Sequence, residues 1–152
     1  MKTLITISLI AAAILTSTPK VGAHCQVPCG IYDDNNVIRA MHTDWITIEK
    51  ATKEIPKLME DPTNNANQIA RWITNKEQHC QNIQDTVARY FLAQRVKLPA
   101  KDGDRAASLK KRALCHQVIV AAMKCKQAVD PKAVETLHGL MHDFEDTFGE
   151  KE

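Results

Sequence analysis

Nine consecutive residues hold the most concentrated chemistry in the chain: His24, Cys25, Gln26, Val27, Pro28, Cys29, Gly30, Ile31 and Tyr32. If the peptide bond before His24 is cut, one residue offers both a free α-amine and an imidazole. Cys25 adds a thiolate and a backbone nitrogen lying between amine and side chain, so a metal on the amine closes a five-membered chelate ring. Cys29 returns a second thiolate four residues on, with Pro28 bending the chain before it and Gly30 relaxing the chain after it. The set comprises two nitrogens and two sulfurs in one plane, plus an imidazole able to reach an axial position. Planar nitrogen-containing sites suit Ni(II) or Cu(II), while tetrahedral sulfur–nitrogen sites suit Zn(II). Structural zinc draws four ligands from pairs of residues, and only one pair is visible here. The plain alternative is a small Cys25–Cys29 disulfide loop.

What precedes this stretch determines whether the amine exists. Residues 1–23 read as a secretory leader: Lys2 is basic, Leu4 to Leu15 are mostly apolar, and Val21-Gly22-Ala23 is a small-residue cleavage site. The apolar run is short of the roughly 20 residues that span a bilayer. Cleavage after Ala23 would leave a mature domain of residues 24–152, in the periplasm or outside the cell, with no stable membrane association. The full chain has 20 Lys plus Arg against 18 Asp plus Glu. Lys2 and Lys20 fall in the leader, so the mature chain is balanced. A balanced chain speaks against nucleic-acid binding, which calls for a basic face. It also means that local charges would have to attract any small anion.

The remaining residues must position this stretch, and their periodicity is helical throughout. Met41, Trp45, Ile48, Thr52, Ile55 and Met59 form a first stripe, with Pro56 expected to kink or shorten its end. Asp61-Pro62 reads as a stop. A second segment runs from about Asn65 to Lys97 on Ile69, Trp72, Ile73, Cys80, Ile83, Val87, Tyr90 and Phe91. Asp104 is an N-cap for a third, whose seam is Leu114, Val118, Ala121, Cys125 and Ala128. Asp130-Pro131 opens a fourth on Val134, Leu137, Met141, Phe144 and Phe148. Four amphipathic helices with short connections predict an all-α, up-down-up-down antiparallel four-helix bundle with an irregular N-terminal metal hook over residues 24–32. Trp45 and Trp72 read as core fillers.

Other reactive residues read as scaffold. Cys80, Cys115 and Cys125 are expected as buried thiols or one disulfide. Cys115 and Cys125 lie about 15 Å apart along one helix, too far to bridge each other. His138 and His142 stand four apart, but Gly139 occupies the place a hydrolase glutamate would take, and both read as boundary histidines. Lys110-Lys111-Arg112 reads as a solvated face.

The run His-Cys-x-x-Pro-Cys-Gly-x-Tyr at a processed N-terminus resembles the hook of nickel-containing superoxide dismutases. Lys76-Glu77-Gln78 and Tyr90-Phe91 are similar to stretches of that family's second helix. The resemblance implies a four-helix bundle assembled as a homohexamer with one nickel ion per chain. It implies metal ligation by His24, Cys25 and Cys29, a hook shaped by Pro28 and Gly30, and Tyr32 beside the nickel controlling access. The activity implied is disproportionation of superoxide to oxygen and hydrogen peroxide through Ni(II)/Ni(III) cycling, which thiolates favour. The chain departs from the family pattern at Gln26, where an acid is common, at Ala40 in the place of a Glu, and at His79 in the place of an Arg. His79 is then the substitute expected behind the axial imidazole. A non-enzymatic metal-binding or metal-delivery protein using the same hook is the alternative.

Overall fold

The computed structural model describes residues 34–99 and 103–149. They form four long helices: α1 (Asp34–Leu58), α2 (Pro62–Thr86), α3 (Arg105–Gln127) and α4 (Pro131–Phe148). Val87–Arg95 continues α2 as a π-helix. No strand occurs among the described residues, and none of their helices is long and apolar enough to cross a membrane. Cross-helix pairs give the directions. Asp44 meets His79 while Asp34 meets Tyr90, so α1 and α2 are antiparallel. Gln84 bonds Ile119 while Lys76 bonds Lys126, so α2 and α3 are antiparallel too. Trp45 bonds Val134 while His42 approaches Glu145, which sets α4 against α1. Each helix packs on its two neighbours, in the up-down-up-down order that the short connections predict.

Local chemistry starts each helix where aspartate and proline stand. Asp104 Oδ1 accepts from Ala107 N at 2.9 Å, and Asp130 Oδ1 accepts from Lys132 N at 2.9 Å with Pro131 next. Such caps satisfy amide groups that the helix itself leaves open. Asp61-Pro62 proves to be a third start of this kind rather than only a stop: Asp61 caps α2 through Asn64 N, and α2 begins at Pro62, three residues before the expected Asn65. Pro56 sits inside the last turn of α1, which ends two residues later at Leu58.

The core joins Ile38, Met41 and Ile48 to Ile83, Val87, Phe91, Val118, Leu137, Met141 and Phe144. Three expected stripe positions are exposed instead. Met59 is 53% exposed in the turn after α1, Ile73 is 41% exposed, and Ala128 is exposed at the end of α3. The reason is register. Lys76 lies level with the end of α3, and Trp45 lies level with Val134 near the start of α4. Past those levels α1 and α2 run on as a hairpin for about 20 Å, so Ile73 and Met59 have no third or fourth helix to pack on. Trp45 packs at the core's edge, whereas Trp72 lies outside the core cluster beneath the Lys50 ammonium, 5.8 Å from its ring.

Candidate metal centre

His24, Cys25, Pro28, Cys29, Gly30 and Tyr32 lie outside the described residues, as do Gln26 and the leader. The structure does give the root from which that stretch extends. Asp34, the first residue of α1, is two residues past Tyr32 and is 6% exposed. Its carboxylate faces the end of α2. Tyr90 OH donates to Oδ1 at 2.5 Å, and Arg95 Nε donates to Oδ1 at 2.9 Å and Oδ2 at 2.8 Å. Arg95 Nη2 adds a contact of 2.5 Å to Oδ2, and its guanidinium lies 5.7 Å from the Tyr90 ring centre. Charge-assisted, multidentate bonds of this kind are the strong ones. Beneath them Phe91, Phe144 and Phe148 form an aromatic floor with ring centres 4.5 to 5.1 Å apart.

Further along the same seam, about 15 Å from Asp34 at 1.5 Å per residue, Asp44 holds His79. Nδ1 of His79 lies 2.6 Å from Asp44 Oδ1, and Asn82 Nδ2 donates to the same oxygen at 3.0 Å. Both side chains are mostly buried. The expected substitute His79 therefore has a carboxylate partner one turn beyond the exposed Ala40, a partner that sequence reasoning did not name.

The bundle's own thiols have a different character. Cys80, Cys115 and Cys125 are free and buried. Burial pushes Cys80 up to about 12, with the neighbouring Cys125 adding to the effect, and pushes Cys115 and Cys125 up to about 11. A thiol held protonated is neither a ready nucleophile nor a metal ligand. No group of three His, Cys, Asp or Glu among the described residues is placed to hold a metal ion. The expected hook donors, the imidazole of His24 and the thiols of Cys25 and Cys29, fall within six residues of sequence that lie outside the described residues.

The family model for nickel-containing superoxide dismutase matches residues 19–152. The chain belongs to the nickel-containing superoxide dismutase family. It is accordingly a nickel-dependent oxidoreductase acting on superoxide, as the nine-residue motif implied. No curated protein and no solved structure was found to match it.

Within a nickel superoxide dismutase, Lys76-Glu77-Gln78 turns out to have a structural use. Lys76 is 2% exposed, and its Nζ donates to Lys126 O at 2.8 Å and to Cys125 O, so the ammonium closes the carbonyl end of α3. His138 and His142 are boundary histidines, as expected, but not isolated ones. His42 joins them from α1, with ring centres 4.5 Å (His138–His142), 5.8 Å (His42–His142) and 6.4 Å (His42–His138) apart. Trp45 stacks on His138 at 3.8 Å and 8°, and its Nε1 donates to Val134 O at 3.1 Å. His42 Nε2 is buried and comes within 3.4 Å of Glu145 Oε2 without hydrogen-bond geometry. Desolvation, then the charges of His142 and His42, lower the His138 pKa; Glu49 opposes them. Asp34, Arg95 and Asp44 were missed because the carboxylates fall at polar positions of a helix and reveal their partners only across 35 to 61 residues.

Proposed function

We propose that His24, Cys25 and Cys29 hold the nickel ion, one per chain, after proteolysis makes His24 the first residue. The observation that carries this reading is the run His24-Cys25-Gln26-Val27-Pro28-Cys29-Gly30-Ile31-Tyr32 directly after a small-residue cleavage site. His24 would provide its amine and imidazole, Cys25 its thiolate and backbone nitrogen, and Cys29 the second thiolate. Nickel, when bound, supplies the one-electron Ni(II)/Ni(III) couple by which one superoxide is oxidised and the next reduced. Pro28 and Gly30 set the turn that returns Cys29 toward Cys25. Tyr32 stands at the entrance, excludes larger molecules and orders water, from which the two protons consumed in forming peroxide are drawn.

His79 supports the His24 imidazole in this reading, with Asp44 fixing its ring through Nδ1. Ten residues separate His24 from Asp34, and a chain of that length extends to about 33–36 Å. The span is ample to fold back the roughly 15 Å along the α1–α2 seam. Groups that orient a metal-bound histidine tune the metal as well as the geometry.

The leader, residues 1–23, directs export to the periplasm or cell exterior and is removed, leaving residues 24–152. The mature chain assembles as a homohexamer. The projecting α1–α2 hairpin, with exposed Ile46, Met59 and Ile73, offers apolar surface for that assembly. Mass spectrometry of the exported protein should give a mature chain beginning at His24, and metal analysis should give about one nickel per chain. A different mature N-terminus, or stoichiometric zinc, would remove the basis for this site. Light scattering of the same sample should give six chains per particle.

A further inference from the structure

Residues 90 and 95 are an awkward pair to bring to one carboxylate. Five positions along an α-helix lie about 140° apart around the axis, so an α-helical end to α2 would point Tyr90 and Arg95 to different neighbours. Val87–Arg95 is instead wound as a π-helix, closed by Val96 N–H to Phe91 O at 3.0 Å. In that winding, with about 4.4 residues per turn, a residue five positions on comes back to within about 50° of the first. The wider turn thus converges a phenol and a guanidinium on the Asp34 carboxylate. π-Turns are rare and concentrate at functional sites. Here the turn grips the first helical residue after the hook, five positions past Cys29. The helix start itself favours a carboxylate, but a solvent-exposed aspartate would satisfy that preference. Burial under Tyr90 and Arg95 adds a fixed direction for the chain at this point.

We propose that the π-wound end of α2 is a positioning device for the nickel hook: Tyr90 and Arg95 clamp Asp34 and thereby fix where the hook leaves the bundle. The inference rests on the assignment of the nickel to His24, Cys25 and Cys29. Asp34, Tyr90 and Arg95 act through the hook and touch neither substrate nor metal in this account.

The test compares the full mature protein with Tyr90→Phe, Arg95→Lys, Arg95→Leu and Asp34→Asn. Three readouts are taken: nickel release to a chelator, the electron paramagnetic resonance spectrum of the Ni(III) form, and hydrogen exchange of amides 29–33 in metal-free protein. Arg95→Leu and Asp34→Asn are expected to release nickel at least about tenfold faster, with an altered spectrum. Amides 29–33 should exchange about tenfold faster in the same variants. Arg95→Lys keeps the charge without the fork and should fall between. Tyr90→Phe removes the hydroxyl's bond to Asp34, keeps the ion pair and stays folded, and should speed release about threefold. Folded variants with wild-type release, spectrum and exchange, even if they melt earlier, would overturn the proposal and leave the clamp as a bundle brace only. If wild-type protein takes up no nickel, the ligand assignment fails. The exchange of amides 29–33 then decides the clamp on its own.

Discussion

Helix α1 has two seams, built on opposite terms. Toward α2 it presents Asp34 and Asp44, and each carboxylate meets two partners, Tyr90 with Arg95 and His79 with Asn82. Toward α4 it presents His42 and Trp45, which meet His138 and His142 through ring faces and edges, with a buried His42 nitrogen lacking a hydrogen bond. The first seam is directional: moving a carboxylate by an ångström breaks its bonds, so the seam defines a position. The second is held mainly by ring contact, with one directional bond from Trp45 Nε1 to Val134 O, and its imidazoles cannot all gain a proton without repelling one another. The proposed nickel hook precedes the end of α1 that the directional seam fixes.

The largest way to break this contrast is to remove the buried carboxylate. Asp34→Ala removes the carboxylate that Arg95 and Tyr90 both bond, and losing one partner of a buried pair costs about 3–5 kcal/mol. Arg95 is 29% exposed, so the lower end is expected. Denaturant unfolding should show it as a lower midpoint with an unchanged slope. Trp45→Ala tests the other seam. It removes the His138 stack and the bond to Val134 O, and for a half-buried indole about 2 kcal/mol is expected, below the full range for a buried Trp. A larger loss from Trp45 than from Asp34 would reverse the ranking.

A third prediction sharpens the contrast through pH. His138 has its folded pKa below the ordinary histidine value, so as pH falls the unfolded chain takes up the proton first. Its contribution to stability is complete above the unfolded value of about 6.5 and is lost as pH drops through the lower folded value. Thermal melting between pH 7.5 and 5 should therefore show a decline that is shallower in His138→Gln. Equal pH dependence in the two proteins would show that this seam does not sense protons through His138.

Helix content, two of the three aspartate caps and most of the buried stripe were legible in the sequence, because each is written in residues two to four apart. Asp104 and Asp130 were read as caps, while Asp61 was read only as a stop; its cap on Asn64 N needed the observed start of α2 at Pro62. Met59 and Ile73 carry the right period but not the right level along the bundle, and level is set by where α3 and α4 happen to end. The π-wound segment left no mark on the apolar pattern: Val87, Tyr90 and Phe91 are buried as a helical stripe predicts. Its consequence appears only in which residues reach Asp34. The donor atoms were legible for the opposite reason, since His24, Cys25 and Cys29 are neighbours in sequence and need no tertiary partner to be recognised. Lys76 was noticed for its likeness to the family and proved to be a buried cap for α3.

The smallest expected effect concerns the distal pair. Asp44→Asn keeps the shape of the contact to His79 and removes its charge, and about 1 kcal/mol of stability should go with it. The more informative readout is the nickel spectrum, which should shift in Asp44→Asn and in His79→Gln alike if the pair backs the His24 imidazole. An unchanged spectrum in both would confine that pair to holding α1 against α2.

The proposed nickel site needs a free amine at His24. Superoxide turnover by nickel-loaded protein that begins at His24, set against the same protein retaining Ala23, tests this most directly. The form beginning at His24 should turn over superoxide, and the extended form should lose at least about a hundredfold in rate. Equal rates in the two forms would contradict the assignment of the His24 amine to the metal.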